Sequence, residues 1–346
     1  MPDATYGYVR SLSSADLREV SLPILMMNAF HLMQKPGSTV INTLGGLHRM
    51  AAWSGLIMTD SGGFQAYSLI RQNAKFGSLG DKGIIFYPEA SSRKLLLTPE
   101  KSIQLQMSYG SDILVCLDDC THVNASRAEQ EASVTRTLAW AARAKSSYLA
   151  QLRSRKWSEE ERPLIFAVIQ GGGELDLRRR CAEGLLEIGF DGFGFGGWPL
   201  DEDSRLLTDI LEYTRSLISR EFPIHALGIG HPAGIAASYQ LGYEMFDCAL
   251  PTRDARHGRL FTWSESDPIL SADGDWLKFR YINSEENFRD TGPISPDCDC
   301  ECCRDYAMAY LFHLYRMRDP GYMRLATKHN LRFMTRLIER LRAQNA

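Results

Sequence analysis

The sequence has no long apolar run and no apolar leader. No stretch approaches about 18 uninterrupted apolar residues, the length from which a membrane-spanning helix is inferred. The first residues, MPDATYGYVR, lack the apolar centre of a signal peptide. Low-complexity segments of the disordered or fibrous kind are also missing. These absences predict a globular cytoplasmic protein with no membrane partner.

A strong overall charge is absent as well. The net charge of -3 over 346 residues does not by itself indicate a polyanionic partner. The charges are unevenly distributed, however, because from Arg316 to the C-terminus seven arginines and Lys328 stand against only Asp319 and Glu339. A basic helical face is most often simply solvated, and nucleic-acid binding by this segment stays open as the alternative.

The cysteines are crowded at one place. Four of the eight, Cys298, Cys300, Cys302 and Cys303, fall within six positions. Neighbouring cysteines cannot easily bridge one another, and the cytosol keeps thiols reduced. The spacing therefore favours a metal site over disulfides.

Short apolar runs recur along the chain, each followed by a polar or glycine-rich turn and a helix-like segment. They are LPILMMN, GLIMTDSGG, DILVCLDD, LIFAVIQGG, FDGFGFGG, IHALGIG and YEMFDCALP. Such runs are typical of strands buried on both faces of a parallel sheet. One intervening segment opens with a capping box from Ser126 to Glu129. The number of units, the length and the lack of a clear nucleotide-binding glycine fingerprint favour a closed (β/α)8 barrel over a doubly wound sheet.

Polar residues and glycines follow the predicted strands where each one ends. In a barrel of this kind the active site is built at the carboxyl ends of the strands. Helix capping is the alternative for each aspartate taken alone, and convergence on one rim is what favours a functional site. The residues at these ends are Asp60, Asp118, Asp119, Gln170, Gly196, Gly197 and Asp247.

Longer motifs run in one order from the N-terminus to the C-terminus. They are NAFHLMQKPG, GGLHRMAAW, MTDSGGFQAYSL, LTPEKSIQLQ, FAVIQGG, FDCALPTRDARHGRLFT, CDCECC and KHN. The sequence thereby resembles the tRNA-guanine transglycosylases, or queuine tRNA-ribosyltransferases. The resemblance implies one (β/α)8 TIM-barrel domain over residues 1–346 with a zinc-binding helical subdomain at about 285–346. The N-terminal antiparallel sheet that usually precedes the barrel in this family is expected to be absent.

The resemblance also implies the reaction, which is exchange of guanine in tRNA for a 7-deazaguanine base. Asp247 would be the nucleophile that attacks the ribose anomeric carbon and holds the nucleic acid covalently. Asp60 would be the general acid and base. Two carboxylates beside an oxocarbenium-like centre are the arrangement that retaining glycosyl transfer requires.

The base-binding residues follow from the same resemblance. Asp118, Gln170 and the backbone at Gly197 would contact the polar edge of the base, since carboxylate and amide groups match its donors and acceptors. Phe64 and Leu227 would sandwich the ring. Ordinary core packing is the alternative for those two side chains.

The resemblance assigns phosphate contacts and a metal to the C-terminal half. Arg253 and Arg256 would hold phosphates beside the extruded nucleotide, with a salt bridge to Asp254 as the alternative. A structural zinc ion would take four ligands and leave no open position. The expected ligands are Cys298, Cys300, Cys303 and His329, with Cys302 and His313 as possible substitutes.

The loop GGWPLDED departs from the Gly-Gly-Leu-Ala-Val-Gly-Glu type of loop that is usual in bacterial members. Trp198 and Pro199 would reshape the pocket near the 7-position of the base, while Glu202 could still recognise an aminomethyl substituent. The inserted base is therefore left open among the 7-cyano, 7-aminomethyl and queuine forms. DNA in place of tRNA, and a non-catalytic RNA-binding relative, stay open as alternatives. The resemblance also implies a homodimer.

Overall fold

The architecture was obtained as a computed structural model, which describes residues 1–72, 74–87, 94–122, 124–265, 270–271 and 273–344. The strands in these ranges are β1 Ile24–Asn28, β2 Leu56–Asp60, β3 Gly77–Gly80, β4 Gly83–Phe86, β5 Leu95–Leu97, β6 Ile113–Val115, β7 Leu164–Ile169, β8 Gly192–Phe195, β9 Ile224–Ala226, β10 Met245–Phe246, β11 Arg259–Trp263 and β12 Leu277–Tyr281. The α-helices are α1 Ser14–Glu19, α2 Ala29–Leu32, α3 Ser38–Thr43, α4 Leu47–Ala51, α5 Gly63–Gln72, α6 Pro99–Tyr109, α7 Arg127–Arg155, α8 Leu175–Ile188, α9 Thr208–Ser216, α10 Pro232–Leu241, α11 Leu250–Arg256, α12 Glu301–Asp305, α13 Met308–Arg316 and α14 Pro320–Gln344.

Seven strands form one parallel sheet in the order β1-β2-β6-β7-β8-β9-β10. All pairs in this sheet are parallel, and helices connect each strand to the next. Each apolar run singled out in the sequence contains one of these strands, so the predicted parallel α/β architecture is confirmed. Parallel order brings all the carboxyl ends to the same rim.

The first residues of the chain lie between the two edges of this sheet. Pro2 forms a parallel bridge with Cys248, just after β10, and Asp3 forms one with Met26 of β1. The amide of Ala4 donates to the Met26 carbonyl at 2.7 Å. Residues 2 and 3 thereby take the place of an eighth strand between β10 and β1, and they close the sheet into a barrel. The sequence patterns did not identify this segment as a strand.

The alternation of glycine and phenylalanine in β8 shows how the barrel is filled. A Cβ atom built at Gly192 would lie 2.4 Å from the ring of Phe166, which occupies the barrel interior. Phe193 and Phe195 alternate with the glycines and point the other way, into the main core shared with the surrounding helices. The small residues therefore make room inside the barrel while the aromatic ones anchor the helices outside.

The helix that follows β6 begins where the sequence predicted. Ser126 accepts a hydrogen bond from the amide of Glu129, and Glu129 accepts one from the amide of Ser126, which confirms the capping box. This helix, α7, runs over 29 residues and packs against α6 and α8. None of the helices in the described part of the chain is long and apolar enough to span a membrane.

Two small sheets and a long C-terminal helix add to the barrel. The antiparallel strands β3, β4 and β5 follow α5, and β11 and β12 form a two-stranded antiparallel sheet after α11. Helix α14 packs against α11 and β11, and its Phe333 and Leu337 belong to the main core. The C-terminal segment is therefore fastened to the barrel through apolar contacts as well as through the cysteine-rich loop.

Candidate active site and metal centre

The predicted site residues lie along the carboxyl rim of the barrel. Asp60 is the last residue of β2, Gln170 directly follows β7, and Asp247 directly follows β10. Gly196 and Gly197 directly follow β8. Their positions result from the parallel order of the strands, because every strand ends at the same side.

Asp60 is held by three donors. The Nδ2 of Asn28 donates to its Oδ2 at 2.7 Å, the amide of Gly62 to its Oδ1 at 3.1 Å, and the Nε2 of Gln65 to its Oδ2 at 3.3 Å. Asn28 is the register partner of Asp60 across β1 and β2. Asn28 was not among the predicted site residues, although it ends the run LPILMMN just as Asp60 ends its own strand.

Asp247 accepts its hydrogen bonds on one oxygen. The Nε2 of His225 lies 2.8 Å from Oδ1, and the amide of Gly228 donates to the same atom at 3.0 Å. Gly228 has a φ of +75°, a conformation that other residues rarely adopt, so glycine suits the turn that presents this amide. The His225 side chain is 1% exposed. It was missed by the sequence analysis, although it is the one polar residue of the strand Ile224–Ala226.

The pKa values of the two aspartates are shifted in opposite directions. Burial raises the pKa of Asp60 to about 8, and the negative charge of Asp247 adds to the rise. Burial also opposes ionisation of Asp247, but the hydrogen bonds from His225 and Gly228 outweigh it and hold the pKa of Asp247 below its usual value. Near neutral pH the site therefore contains one protonated and one ionised carboxyl group, the division of roles that acid–base chemistry requires.

A second polar group lies at the ends of β6 and β7. The Nε2 of Gln170 donates to Asp118 Oδ2 at 2.6 Å, and burial raises the pKa of Asp118 to about 6. The Oε1 of Gln170 is buried and has no hydrogen-bond partner among the described residues. The neighbouring Asp119 forms a salt bridge with Arg136 of α7 instead. Asp118 and Gln170 are thus the pair available to a ligand.

Arg178 holds the backbone around this pair. Its guanidinium group donates to the carbonyl oxygens of Ile169 at 2.8 Å, Gly172 at 2.9 Å and Gly196 at 2.9 Å, and the residue is 1% exposed. A Cβ atom at Gly196 would lie 2.5 Å from Gln170 Nε2, so only glycine leaves room for that amide. Arg178 was not among the predicted site residues, because nothing in the run LRRR distinguishes a buried arginine from exposed ones.

Aromatic side chains border the rim at the loop after β8. Phe64 is 43% exposed, which disagrees with ordinary core packing, and its ring meets Trp198 edge-on with 5.8 Å between centroids. The ring of His122 lies 5.6 Å from that of Trp198, measured between centroids. Leu227 is partly buried against the barrel interior. Glu202 accepts a hydrogen bond from Asn124 at 2.5 Å.

Arg253 and Arg256 lie on α11, directly after the rim residue Asp247. Asp254 accepts a hydrogen bond from Arg259 Nε at 2.8 Å, so the alternative of a salt bridge between Asp254 and the other two arginines is not formed. Burial lowers the pKa of Arg256, and the positive charges of Arg10 and Arg253 lower it further. The three arginines therefore form a local concentration of positive charge.

The arginine-rich C-terminal helix is not a free basic surface. Arg324 binds Asp16 at 2.5 Å and Glu301 at 2.9 Å, and Lys328, which is fully buried, forms ion pairs with Glu301 and with an acidic residue of α1. Arg332 likewise binds Asp299 at 2.7 Å. These charges fasten α14 to the cysteine-rich loop and to α1, so they are not available to a polyanion.

Three cysteines and one histidine form a compact group of possible metal ligands. The ligand atoms of Cys298, Cys300, Cys303 and His329 all lie within 4.8 Å of one another, and all four residues are buried. The Nδ1 of His329 is 3.2 Å from Cys303 Sγ, while its Nε2 donates to the carbonyl of Phe261 at 2.8 Å. That second bond orients the ring and leaves Nδ1 for a metal. The donor set is typical of a closed tetrahedral site.

The two substitutes considered from the sequence lie outside this group. Cys302 is buried among the apolar residues around the loop, and burial raises its pKa well above the usual value, which keeps it a thiol. His313 lies on α13 and is exposed. The spacing alone could not separate Cys302 from Cys303, because the choice depends on which side of the loop each side chain faces.

Comparison with known proteins gives matches over the whole chain. A sequence model described as queuine tRNA-ribosyltransferase matches residues 1–344. The queuine tRNA-ribosyltransferase of Psychrobacter sp. is 35% identical over 342 residues, 99% of this chain and 84% of that protein. The proteins of the same name from Lysinibacillus sphaericus and Solidesulfovibrio magneticus are 36% and 37% identical over 342 residues, 99% of this chain and 83% and 85% of theirs. The similarity thus includes both the barrel rim and the cysteine-rich segment.

Asp60→Asn should change the pH dependence of stability. The pKa of Asp60 is raised in the folded state, so its contribution to stability is present below its unfolded pKa and is lost as the pH rises to about 8. Asparagine does not titrate. The melting temperature of the variant relative to the wild type should therefore rise by several degrees between about pH 5 and about pH 8.5. Asp81→Asn, at a side chain that is 98% exposed, is the control and should show no such trend.

Cys303→Ala should lower bound metal and thermal stability together, because a structural metal contributes directly to the free energy of folding. Elemental analysis of the purified protein and calorimetry measure the two effects. Cys302→Ala is the matched control, and we expect it to keep its metal. Full metal content in Cys303→Ala, with loss in Cys302→Ala, would show that the ligand set is wrong.

Proposed function

This chain belongs to the queuine tRNA-ribosyltransferase family, and we propose that it exchanges guanine in tRNA for a 7-deazaguanine base by double displacement. Members of this family are pentosyltransferases. The observation that supports the proposed mechanism is the pair of rim carboxyl groups with opposite acidities, Asp60 and Asp247.

In the first displacement Asp247, which is ionised, attacks the anomeric carbon of the ribose. The bond to guanine breaks, and Asp60 supplies the proton that the departing base needs. A raised pKa suits this task, because the carboxyl group must carry a proton at neutral pH. The product of the step is a covalent glycosyl-enzyme.

In the second displacement the incoming base attacks the same carbon from the side that guanine left. Asp60, now ionised, takes the proton from the attacking nitrogen, and the bond to Asp247 breaks. Two inversions restore the original configuration, as in retaining glycosyl transfer. Water must be kept away from the intermediate, because hydrolysis would leave an abasic site.

Recognition of the base requires polar groups that match its edge. Asp118 can accept hydrogen bonds from the ring N–H and the exocyclic amine, and the unpaired Oε1 of Gln170 offers a further acceptor. The backbone at Gly197 can serve the carbonyl oxygen of the base. Phe64 and Leu227 then stack on the two faces of the ring, which adds affinity without reading identity.

The substituent at position 7 would be read by the loop after β8. Trp198 borders Phe64, and Glu202 bonds with Asn124, so both residues are placed by neighbours outside the loop. An aminomethyl group would suit a free carboxylate at Glu202, and a cyano group would not require one. The proposal includes 7-aminomethyl-7-deazaguanine, 7-cyano-7-deazaguanine and queuine as candidate bases.

We assign a structural zinc ion to Cys298, Cys300, Cys303 and His329. Four protein ligands complete a tetrahedron, and thiolate and imidazole are the donors that zinc prefers. The ion would clip the segment from about 285 to 346 onto the barrel, and residues 1–346 would act as one catalytic domain. Zinc has no part in the chemistry proposed for the rim.

The polymer would approach the rim beside α11. Arg253 is exposed there, and Arg10 and Arg256 add positive charge that could hold phosphates on either side of the extruded nucleotide. We place the reaction in the cytoplasm, where tRNA is available. The family resemblance is the support for a homodimer.

The test is exchange of radiolabelled guanine into unmodified tRNA and, in parallel, into double-stranded DNA. We expect incorporation into tRNA only, and none with Asp247→Ala. Incorporation into DNA alone would show that the protein modifies DNA and not tRNA. Absence of exchange into either polymer would contradict the proposed activity.

A second experiment isolates the role of the nucleophile. Asp247→Asn should abolish the covalent adduct, detected as a shifted band on a denaturing gel, because an amide oxygen cannot replace the carboxylate. Binding of tRNA should change less than about threefold, since docking depends on the surface arginines. An adduct in this variant would rule out Asp247 as the attacking group.

A further inference from the structure

The two oxygens of Asp247 are in different environments. His225 Nε2 and the Gly228 amide both contact Oδ1, at 2.8 and 3.0 Å. Within the described part of the chain no hydrogen bond to Oδ2 is formed. The lone pairs of Oδ2 are therefore available for attack, while those of Oδ1 are engaged.

The hydrogen-bond network assigns the tautomer of His225. Asp247 Oδ1 is ionised and can only accept, so Nε2 of His225 must carry the proton that lies between them. The other nitrogen, Nδ1, is buried and has no partner among the described residues. Nε2 is therefore the nitrogen that donates to Asp247, and Nδ1 is left without a hydrogen-bond partner among the described residues.

We propose that His225 is a positioning residue that directs Oδ2 of Asp247 to the sugar and hastens breakdown of the glycosyl-enzyme. This role rests on the proposed double displacement. His225 acts through Asp247 and does not itself contact the substrate. Its place in β9, beside β10, fixes the donor on one side of the carboxylate.

The charge on the carboxylate changes during the two displacements. In the first, a lone pair of Oδ2 forms the bond to the anomeric carbon, the bond to guanine breaks, and the proton of Asp60 goes with the base. The carboxylate becomes an ester, and Oδ1 becomes its carbonyl oxygen. The hydrogen bond from His225 therefore weakens in this step, because a neutral acceptor binds a donor less strongly than a charged one.

The second displacement reverses this change. The incoming base attacks the anomeric carbon, its proton passes to Asp60, and the electron pair of the bond to Oδ2 returns to Asp247. Negative charge grows on the carboxylate as the bond breaks, and the donor at Oδ1 stabilises that charge. A donor on Oδ1 thus favours release of the nucleophile more than its attack.

Two substitutions separate this role from packing. His225→Phe keeps a buried ring and removes the donor, while His225→Gln replaces the donor with a side-chain amide. His313→Phe is the matched control, because it makes the same change at an exposed residue of α13, outside the loops that follow the barrel strands. Calorimetry shows whether each variant is folded.

The experiment measures adduct formation and adduct breakdown separately. Each variant is mixed in excess with tRNA, the adduct is followed on denaturing gels, and labelled guanine is then added to drive release. For His225→Phe we expect breakdown to slow on the order of 10- to 100-fold, the effect of losing one hydrogen bond to a charged group. Formation should slow much less, so the adduct should accumulate, and His225→Gln should recover most of the loss.

The possible outcomes distinguish this inference from the proposed function. If the wild type forms no adduct and exchanges no guanine, the proposed function fails. If the wild type is active and folded His225→Phe keeps the wild-type ratio of breakdown to formation, the inference is wrong. If His225→Phe does not fold, His225→Gln and His225→Ser are compared instead, because the serine side chain is too short to donate to Oδ1. If both of these variants fold and keep the wild-type ratio of breakdown to formation, the inference is also wrong.

Discussion

Two partly buried carboxyl groups share one rim of the barrel, and their pKa values are shifted in opposite directions. Burial alone would neutralise both Asp60 and Asp247, since desolvation disfavours charge at each. The donors His225 and Gly228, placed on Asp247 only, break this symmetry. The charge that they stabilise on Asp247 then raises the pKa of Asp60 further, so one interaction sets the acidity of both groups.

The surrounding structure holds these groups in place. Asn28 reaches Asp60 from the neighbouring strand, and Arg178 donates to the main-chain carbonyls of Ile169 and Gly172, before and after Gln170. These contacts use main-chain groups and the buried side chains of Asn28 and Arg178, and they hold the rim groups in place without a ligand. The glycines of β8 complete the arrangement by leaving room inside the barrel.

The C-terminal segment supports the site from outside. Arg324, Arg332 and Lys328 pair with acidic residues of α1 and of the cysteine-rich loop, and Phe333 belongs to the main core. A further local concentration of positive charge lies on α11, which directly follows Asp247 in the chain. The basic composition of a segment therefore does not show where a polyanion binds, because buried partners can neutralise it.

Apolar runs, strand ends and ligand spacing are local properties, and they indicated the seven strands of the parallel sheet, the rim and the motif residues. The sequence predicted the α/β barrel and a metal site among the crowded cysteines, both of which the structure supports. Closure of the barrel by residues 1–4 and the bond from His225 to Asp247 were visible only in the tertiary structure. Each depends on segments far apart in the chain and on the direction of side chains, which no local pattern records.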